Sequence, residues 1–246
     1  MFKNFEENIY GDEIERIYLS FFSNKLRVGI IGGGKAAIIK IKSFLKRNVY
    51  VEVLAREFSK DILDINDKNL RLIKSEYKSE FIQDKHLIVI AINDSELLTQ
   101  IKDECDKNFK LYINCSDFKD GIGAMPVQRN LKNISFGINT TGGNPKGALM
   151  AADVAYKSLK SMDDFIGRVT ILRNNAKKLG VYKKEVIEFL NCNDFKFFCD
   201  KGKDETVFKL FLGEDDLRCL YRGEINGDSY SNKEEYSSTS SSRQSR

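Results

Sequence analysis

The 246-residue chain contains a single histidine, His86, two prolines, no tryptophan and only five cysteines. One histidine excludes a multi-histidine metal site. It leaves any acid–base chemistry to a carboxylate, Lys, Tyr, Cys or that one imidazole. Placed at the head of an apolar run, His86 itself reads as a surface residue on a strand edge. The cysteines, Cys105, Cys115, Cys192, Cys199 and Cys219, are odd in number and form no C-x-x-C pair. That speaks against a disulfide framework or a zinc ribbon and for reduced, packed thiols. No apolar run approaches the roughly 20 residues of a membrane span. The opening MFKNFEENIYGDEIERIYLSFF lacks the basic-then-apolar order of a signal peptide, so the expected location is the cytoplasm. Charge of one sign is scarce as well: 40 basic and 36 acidic side chains leave only +4, without the surplus of a protein that coats nucleic acid. What the chain does have is apolar mass, 41% hydrophobic residues with 17 Phe and 10 Tyr, enough for a real core. Its length exceeds the roughly 150 residues of one typical domain without reaching two, so one domain with an appendage is expected.

From Leu26 the pattern alternates between strand and helix. Leu26 to Ile31 is a short β-branched run that ends in Gly32-Gly33-Gly34, after which Ala37, Ile38, Ile41, Phe44 and Leu45 recur at helical spacing. Further strands are predicted over 49–54, 70–73, 87–92 and 110–114, the fourth wholly apolar as a central parallel strand should be. Asn93-Asp94-Ser95 caps a helix carrying Leu97, Leu98 and Ile101. Such alternation predicts an α/β fold with a parallel sheet and right-handed crossovers. The rhythm changes near Asp117. Residues 117–129 read as an irregular excursion, 134–140 as a strand, and Asn144-Pro145 as the start of a helix, with Asn as cap and Pro at the first helical position. Helical spacing then covers 149–159, 165–179, 183–190 and 206–212, and the cluster Phe195 to Phe198 suggests packing on another helix or subunit. The tail from Ser229 is Ser-rich and structureless by composition.

Gly32-Gly33-Gly34-Lys35-Ala36-Ala37 fits G-x-G-x-x-A directly between a strand and a helix. In that context the pattern has a physical meaning: Gly32 permits the tight turn, Gly34 lets a pyrophosphate approach the backbone, Ala37 allows close helix–strand packing, and the helix N-terminus attracts the anion. The second strand of such a unit ends near the adenosine ribose. Here Ala55 is followed by Arg56, suited to a 2′-phosphate, and Glu57, suited to the ribose hydroxyls, so NAD and NADP both stay open. An exposed loop pair is the plainer reading of those two residues.

Together, the run Val28 to Lys40, the segment Ala55 to Ser59, Ala91-Ile92-Asn93-Asp94, Asn114-Cys115-Ser116-Asp117 and Thr140-Thr141-Gly142-Gly143-Asn144-Pro145 resemble the precorrin-2 dehydrogenase family, the siroheme synthase dehydrogenase/ferrochelatase domain. A helical stretch about Arg173 and Asn193 to Phe198 agree too, so the resemblance covers about residues 17–213. It implies a Rossmann-like parallel sheet, a dimerisation strand segment and a C-terminal helical domain. The corresponding divisions are 1–114 (extension and NAD-binding domain), 115–150 (catalytic excursion and dimerisation region), 151–223 (helical domain) and 224–246 (disordered tail). The implied reaction is oxidation of the tetrapyrrole precorrin-2 to sirohydrochlorin with NAD, followed in some members by insertion of ferrous iron. A homodimer is implied as well. Gly32, Gly33, Gly34, Lys35, Ala36, Ala37, Arg56, Glu57, Ala91 and Asn93 then meet the cofactor. Asn114, Arg129, Thr141, Gly142 and Lys146 fall to the substrate, and Asp117 matches a catalytic aspartate. Two departures stand out: Thr140-Thr141-Gly142-Gly143 replaces the usual Ser-led segment while keeping a hydroxyl, and the excursion after Asp117 is shorter than usual.

Oxidation of precorrin-2 removes a hydride and a proton, so one group must accept the proton. With His86 at the wrong end of its strand, a carboxylate at a strand's C-terminal end is the better candidate, and Asp117 is one. Read without the resemblance, Asp117 is a turn-forming residue that satisfies local backbone N–H groups. Iron would find its final ligands in the substrate's pyrrole nitrogens, so the chain needs no metal cage of its own. The substrate's carboxylates call for basic neighbours, and Lys35, Arg129, Lys132 and Lys146 lie on suitable loops, although each also reads as a solvated surface charge. The competing function is a dinucleotide-sensing module with the same glycine loop and no redox step.

Overall fold

The computed structural model describes residues 16–180 and 182–223; the chain before Arg16 and the Ser-rich tail, expected as disordered over 224–246, lie outside the described residues. Two compact units are present. The first comprises the residues up to Val127 together with Ile138–Leu149, and the second comprises Gln128–Gly137 with the residues from Met150 onward.

The first unit is built on β1 (Arg27–Ile31), β2 (Tyr50–Ala55), β3 (Leu70–Lys74), β4 (Leu87–Ile90) and β5 (Leu111–Asn114). They form one sheet in the order β3-β2-β1-β4-β5, with every neighbouring pair parallel. Between them run α1 (Lys35–Leu45), the short α2 (Lys60–Leu63) and α3 (Ser95–Lys107). Strand alternation supplies two apolar faces. Val28, Ile30, Val51, Val53 and Val89 meet Ala37, Ile41, Phe44 and Leu45 of α1 on one face. Ile31, Ile88, Ile90 and Tyr112 meet Ile101 and Cys105 of α3 on the other. Burial of each such isoleucine contributes about 1.5–3 kcal/mol. The order reverses direction between β1 and β4, which is where open parallel sheets leave a crevice at their C-terminal ends. As expected, Asp94 caps α3: its Oδ1 accepts the Leu97 N–H at 3.0 Å.

The sheet also buries charge. Glu52 on β2 and Lys85 just before β4, 7% and 3% exposed, pair at 2.8 Å. The Glu52 carboxylate further accepts the Tyr50 hydroxyl at 2.9 Å and the Arg71 guanidinium at 3.2 Å. Burial opposes its ionisation, but bonds from Lys85 and Tyr50 and the Lys85 and Arg71 charges outweigh that and hold the carboxyl below its ordinary value.

In the second unit, β6 (Val127–Asn130) and β7 (Ser135–Ile138) form a two-stranded sheet. The strand expected over 134–140 is thus β7. Its partner β6 arises at the end of the stretch that reads as irregular, where Val127 to Asn130 carries no strong strand signal of its own. The helices expected over 149–159 and 165–179 are one helix, α4 (Pro145–Ala176). The polar break at Lys160 to Asp164 contains neither Pro nor Gly, and it exists because Asp163 faces inward. Asp163, 7% exposed, accepts the backbone N–H groups of Lys132, Asn133 and Ile134 at 3.1, 2.9 and 3.0 Å, which ties the β6–β7 turn to the helix.

After α4 come α5 (Lys183–Leu190), α6 (Asn193–Asp200), α7 (Asp204–Phe208) and α8 (Glu214–Arg222). The segment expected over 206–212 starts earlier and ends sooner, and α8 was not anticipated, although its acidic first turn and the left-handed Gly223 at its end are ordinary helix boundaries. The Phe195 cluster does pack on helices: Phe195 is fully buried, with its ring 5.5 Å from Phe189 and 5.4 Å from Phe208 between centroids. All five cysteines are free thiols. Burial pushes the Cys105 thiol up to about 12, which makes it unreactive.

Candidate functional site

The glycine loop leaves β1 at its C-terminal end. Gly32 has φ +125°, and a Cβ there would stand 2.2 Å from the Ala91 carbonyl oxygen; one on Gly33 would stand 1.9 Å from the Glu57 carbonyl oxygen. The loop is therefore wedged between the ends of β4 and β2, with the Gly32 N–H donating to Leu54 O at 2.9 Å and Ser59 N–H donating to Gly33 O at 2.9 Å. Gly34 differs: an added Cβ would meet nothing within 4 Å. No packing of the protein asks for glycine at that position. It faces open space directly ahead of α1, whose N-terminus has no side-chain cap and no acidic residue in its first turn. Lys35 opens that helix with a positive charge, against the preference of the helix dipole. Free N–H groups, an unobstructed backbone and an added cation together fit a pyrophosphate. Ala37 is fully buried against the sheet, while Lys35 and Ala36 are exposed.

At the end of β2, Arg56 and Glu57 are both exposed. The Arg56 Nε lies 3.5 Å from Glu76 Oε1 just past β3. Across the crevice, Ala91 is half-buried and Asn93 exposed.

The loop after β5 is more organised than its sequence suggests. Asn114 is buried; its Nδ2 donates to Asp120 Oδ2 at 3.0 Å and its Oδ1 accepts Ser116 N–H at 2.9 Å. Asp120 also binds the Lys102 ammonium of α3, and the bonds from Lys102 and Asn114 hold its carboxyl low. Asn114, a substrate candidate by sequence, thus has both ends of its amide committed to shaping the loop. Asp117 sits exposed at the turn. Its Oδ1 accepts Lys119 N–H at 2.9 Å, and its second oxygen has no partner among the described residues. The Phe118 ring lies against Gly143, where a Cβ would come within 2.4 Å of it.

That contact brings the β5 loop to the Thr140–Asn144 loop within the same unit. The latter is closed by Thr140, whose Oγ1 accepts Asn144 N–H at 2.6 Å, and it is held by Arg16 Nη2, which donates to Thr141 O at 3.3 Å. Asn144 Oδ1 caps α4 through the Gly147 N–H at 2.9 Å. Thr141, Gly142 and Lys146 are exposed around this corner. Arg129 belongs to the second unit, where it is bound to Asp153 at 2.8 Å, and the Lys132 side chain there is exposed. His86 lies at the opposite end of the sheet, its Nδ1 accepting the Arg27 N–H at 3.0 Å. Phe118, Asp120 and Lys102 went unmarked in the sequence. Nothing in Asp117-Phe118-Lys119-Asp120 distinguishes the turn residue from the anchored one. Among the described residues, no group of three or more His, Cys, Asp or Glu is arranged to hold a metal ion.

The parallel sheet, its switch point and the glycine loop define a Rossmann-type dinucleotide-binding protein, with NAD as the cofactor the fit supports. Residues 20–123 match a family model described as putative NAD(P)-binding. A precorrin-2 dehydrogenase of Priestia megaterium is 31% identical over 117 residues, 47% of this chain and 57% of that protein. A putative precorrin-2 dehydrogenase of Methanocaldococcus jannaschii is 26% identical over 170 residues, 66% of this chain and 81% of that one. The fold matches a solved structure titled SirC, precorrin-2 dehydrogenase, with a TM-score of 0.60 at 22% identity, over 79% of this chain and 98% of that one. These comparisons support the resemblance to the precorrin-2 dehydrogenase family that the sequence motifs carry.

Proposed function

We propose that this protein oxidises precorrin-2 to sirohydrochlorin with NAD as hydride acceptor, a step of siroheme biosynthesis. The observation that carries the reading is the unobstructed backbone at Gly34, on the same strand-end edge as the linked Asp117 and Thr140–Asn144 loops. Bound NAD would supply the acceptor for the hydride. The chain's own residues do the rest. The α1 N-terminus and Lys35 bind the pyrophosphate, and Glu57 or Arg56 meets the adenosine ribose, with Ala91 and Asn93 across the crevice. Asp117, with Oδ1 oriented by the Lys119 N–H, takes the substrate proton on its second oxygen. Thr141, Gly142 and Lys146 line the substrate side, and the exposed ammonium of Lys146 suits a substrate carboxylate. Asn114 acts by shaping the loop that carries Asp117.

Two further parts belong to the same proposal: insertion of ferrous iron into sirohydrochlorin as a second substrate, with Asp117 accepting pyrrole protons, and action as a homodimer in the cytoplasm. The primary test is anaerobic incubation with enzymatically made precorrin-2 and NAD. Absorbance should report sirohydrochlorin and NADH in equal amounts. Intact dinucleotide binding without product would instead favour a sensor. Conversion of sirohydrochlorin with Fe²⁺ tests the second activity, and sedimentation of the pure protein tests the dimer.

A further inference from the structure

We propose that Glu76 determines dinucleotide specificity: by holding the Arg56 guanidinium, its carboxylate favours a cofactor with a free adenosine 2′-hydroxyl over one with a 2′-phosphate. This inference rests on the dinucleotide reading above and decides what the sequence left open, which of Arg56 and Glu57 governs the adenosine end. The glycine loop sits directly on the turn after β2, since Gly33 packs against the Glu57 carbonyl and Ser59 N–H donates to Gly33 O at 2.9 Å. A dinucleotide bound at Gly34 would therefore have Arg56 and Glu57 within reach of its adenosine end. The same turn is bordered by the end of β3. Ala55 pairs with Lys74, Ser75 N–H donates to Ala55 O at 3.0 Å, and Ser75 Oγ donates to Glu76 O at 3.1 Å. That geometry brings Glu76 Oε1 to 3.5 Å from Arg56 Nε.

The arginine thus has one carboxylate beside it in sequence and a second beside it in space. A 2′-phosphate is recognised by a guanidinium whose N–H groups are free to donate in pairs. Here Glu76 competes for the Nε edge of that guanidinium and offsets its charge, and the phosphate would approach Glu57 as well. A ribose diol has no such conflict, because its hydroxyls donate to a carboxylate. Both partners of the pair are solvated, 71% and 76% exposed, so the discrimination is a matter of a few-fold and weakens in salt. Lys60 and Lys74, exposed near the same turn, are present in every variant and cancel from the comparison.

The test is fluorescence titration of NADH and NADPH against the full chain, Glu76→Gln, Arg56→Gln and the double variant at low ionic strength. The ratio of NADPH to NADH affinity should rise about three- to fivefold in Glu76→Gln. The rise should vanish in the double variant and shrink with added salt. An unchanged ratio in Glu76→Gln, or a rise that persists without Arg56, overturns the proposal. Absence of any dinucleotide binding to the unaltered protein would instead remove the dinucleotide reading, and this inference with it.

Discussion

A methyl group added at Gly33 would lie 1.9 Å from a backbone oxygen, whereas one added at Gly34 would meet no protein atom within 4 Å. The two neighbours should therefore fail differently. Gly33→Ala forces the glycine loop off the β2 turn, and urea unfolding should register a loss of about 3 kcal/mol or more. Gly34→Val should unfold near the unaltered midpoint yet bind NADH at least about tenfold more weakly, because its side chain occupies the pyrophosphate approach. Normal NADH affinity in that variant would remove the glycine loop from the site. Asp117 permits an equally clean separation. Asparagine keeps the oxygen that accepts the Lys119 N–H and so preserves the turn, but it cannot take a proton. Asp117→Asn should leave NADH binding intact while slowing turnover by about 10² or more. Unchanged turnover would move the proton acceptor elsewhere.

Among the elements, the β6–β7 hairpin depends most on one side chain. Asp163→Ala leaves the three amides of Lys132, Asn133 and Ile134 without their acceptor, a cost of roughly 2–4 kcal/mol. Hydrogen exchange should accelerate at those amides first; persistent protection would mean that the carboxylate is not what holds the turn. The same residue explains where sequence reading stopped. The five sheet strands and α1 are legible because their signals are local: β-branched runs, a glycine loop, helical spacing. The continuity of α4 through Asp163 is not, because a buried aspartate looks like a solvated one until its partners, some 30 positions earlier, are known. Within the candidate site the glycine loop was legible for the same local reason. The Asn114–Asp120–Lys102 knot was not, since Lys102 lies on α3 and nothing in its helical pattern points toward the loop after β5.

For the molecule as a whole, four carboxyls held below their ordinary values, Glu52, Asp84, Glu104 and Asp120, all belong to the first unit. A depressed folded value means that each contributes stability above the ordinary carboxylate pKa, near 4. That contribution is lost as pH falls through the lower folded value. The nucleotide-binding unit should accordingly lose stability steeply below about pH 4, followed by the urea midpoint of its β-sheet amides in hydrogen exchange. Glu52→Gln should flatten that slope while lowering stability at neutral pH, since the buried Lys85 then keeps only Asp84 of its two carboxylate partners. A slope unchanged by Glu52→Gln would assign the acid response to other groups.

The open space at Gly34 has a consequence for descent. Gly32 and Gly33 are demanded by the chain's own backbone, so any lineage that keeps this fold must keep them. Gly34 answers only to what binds there, so in a descendant freed from its cofactor it should be the first of the three glycines to drift.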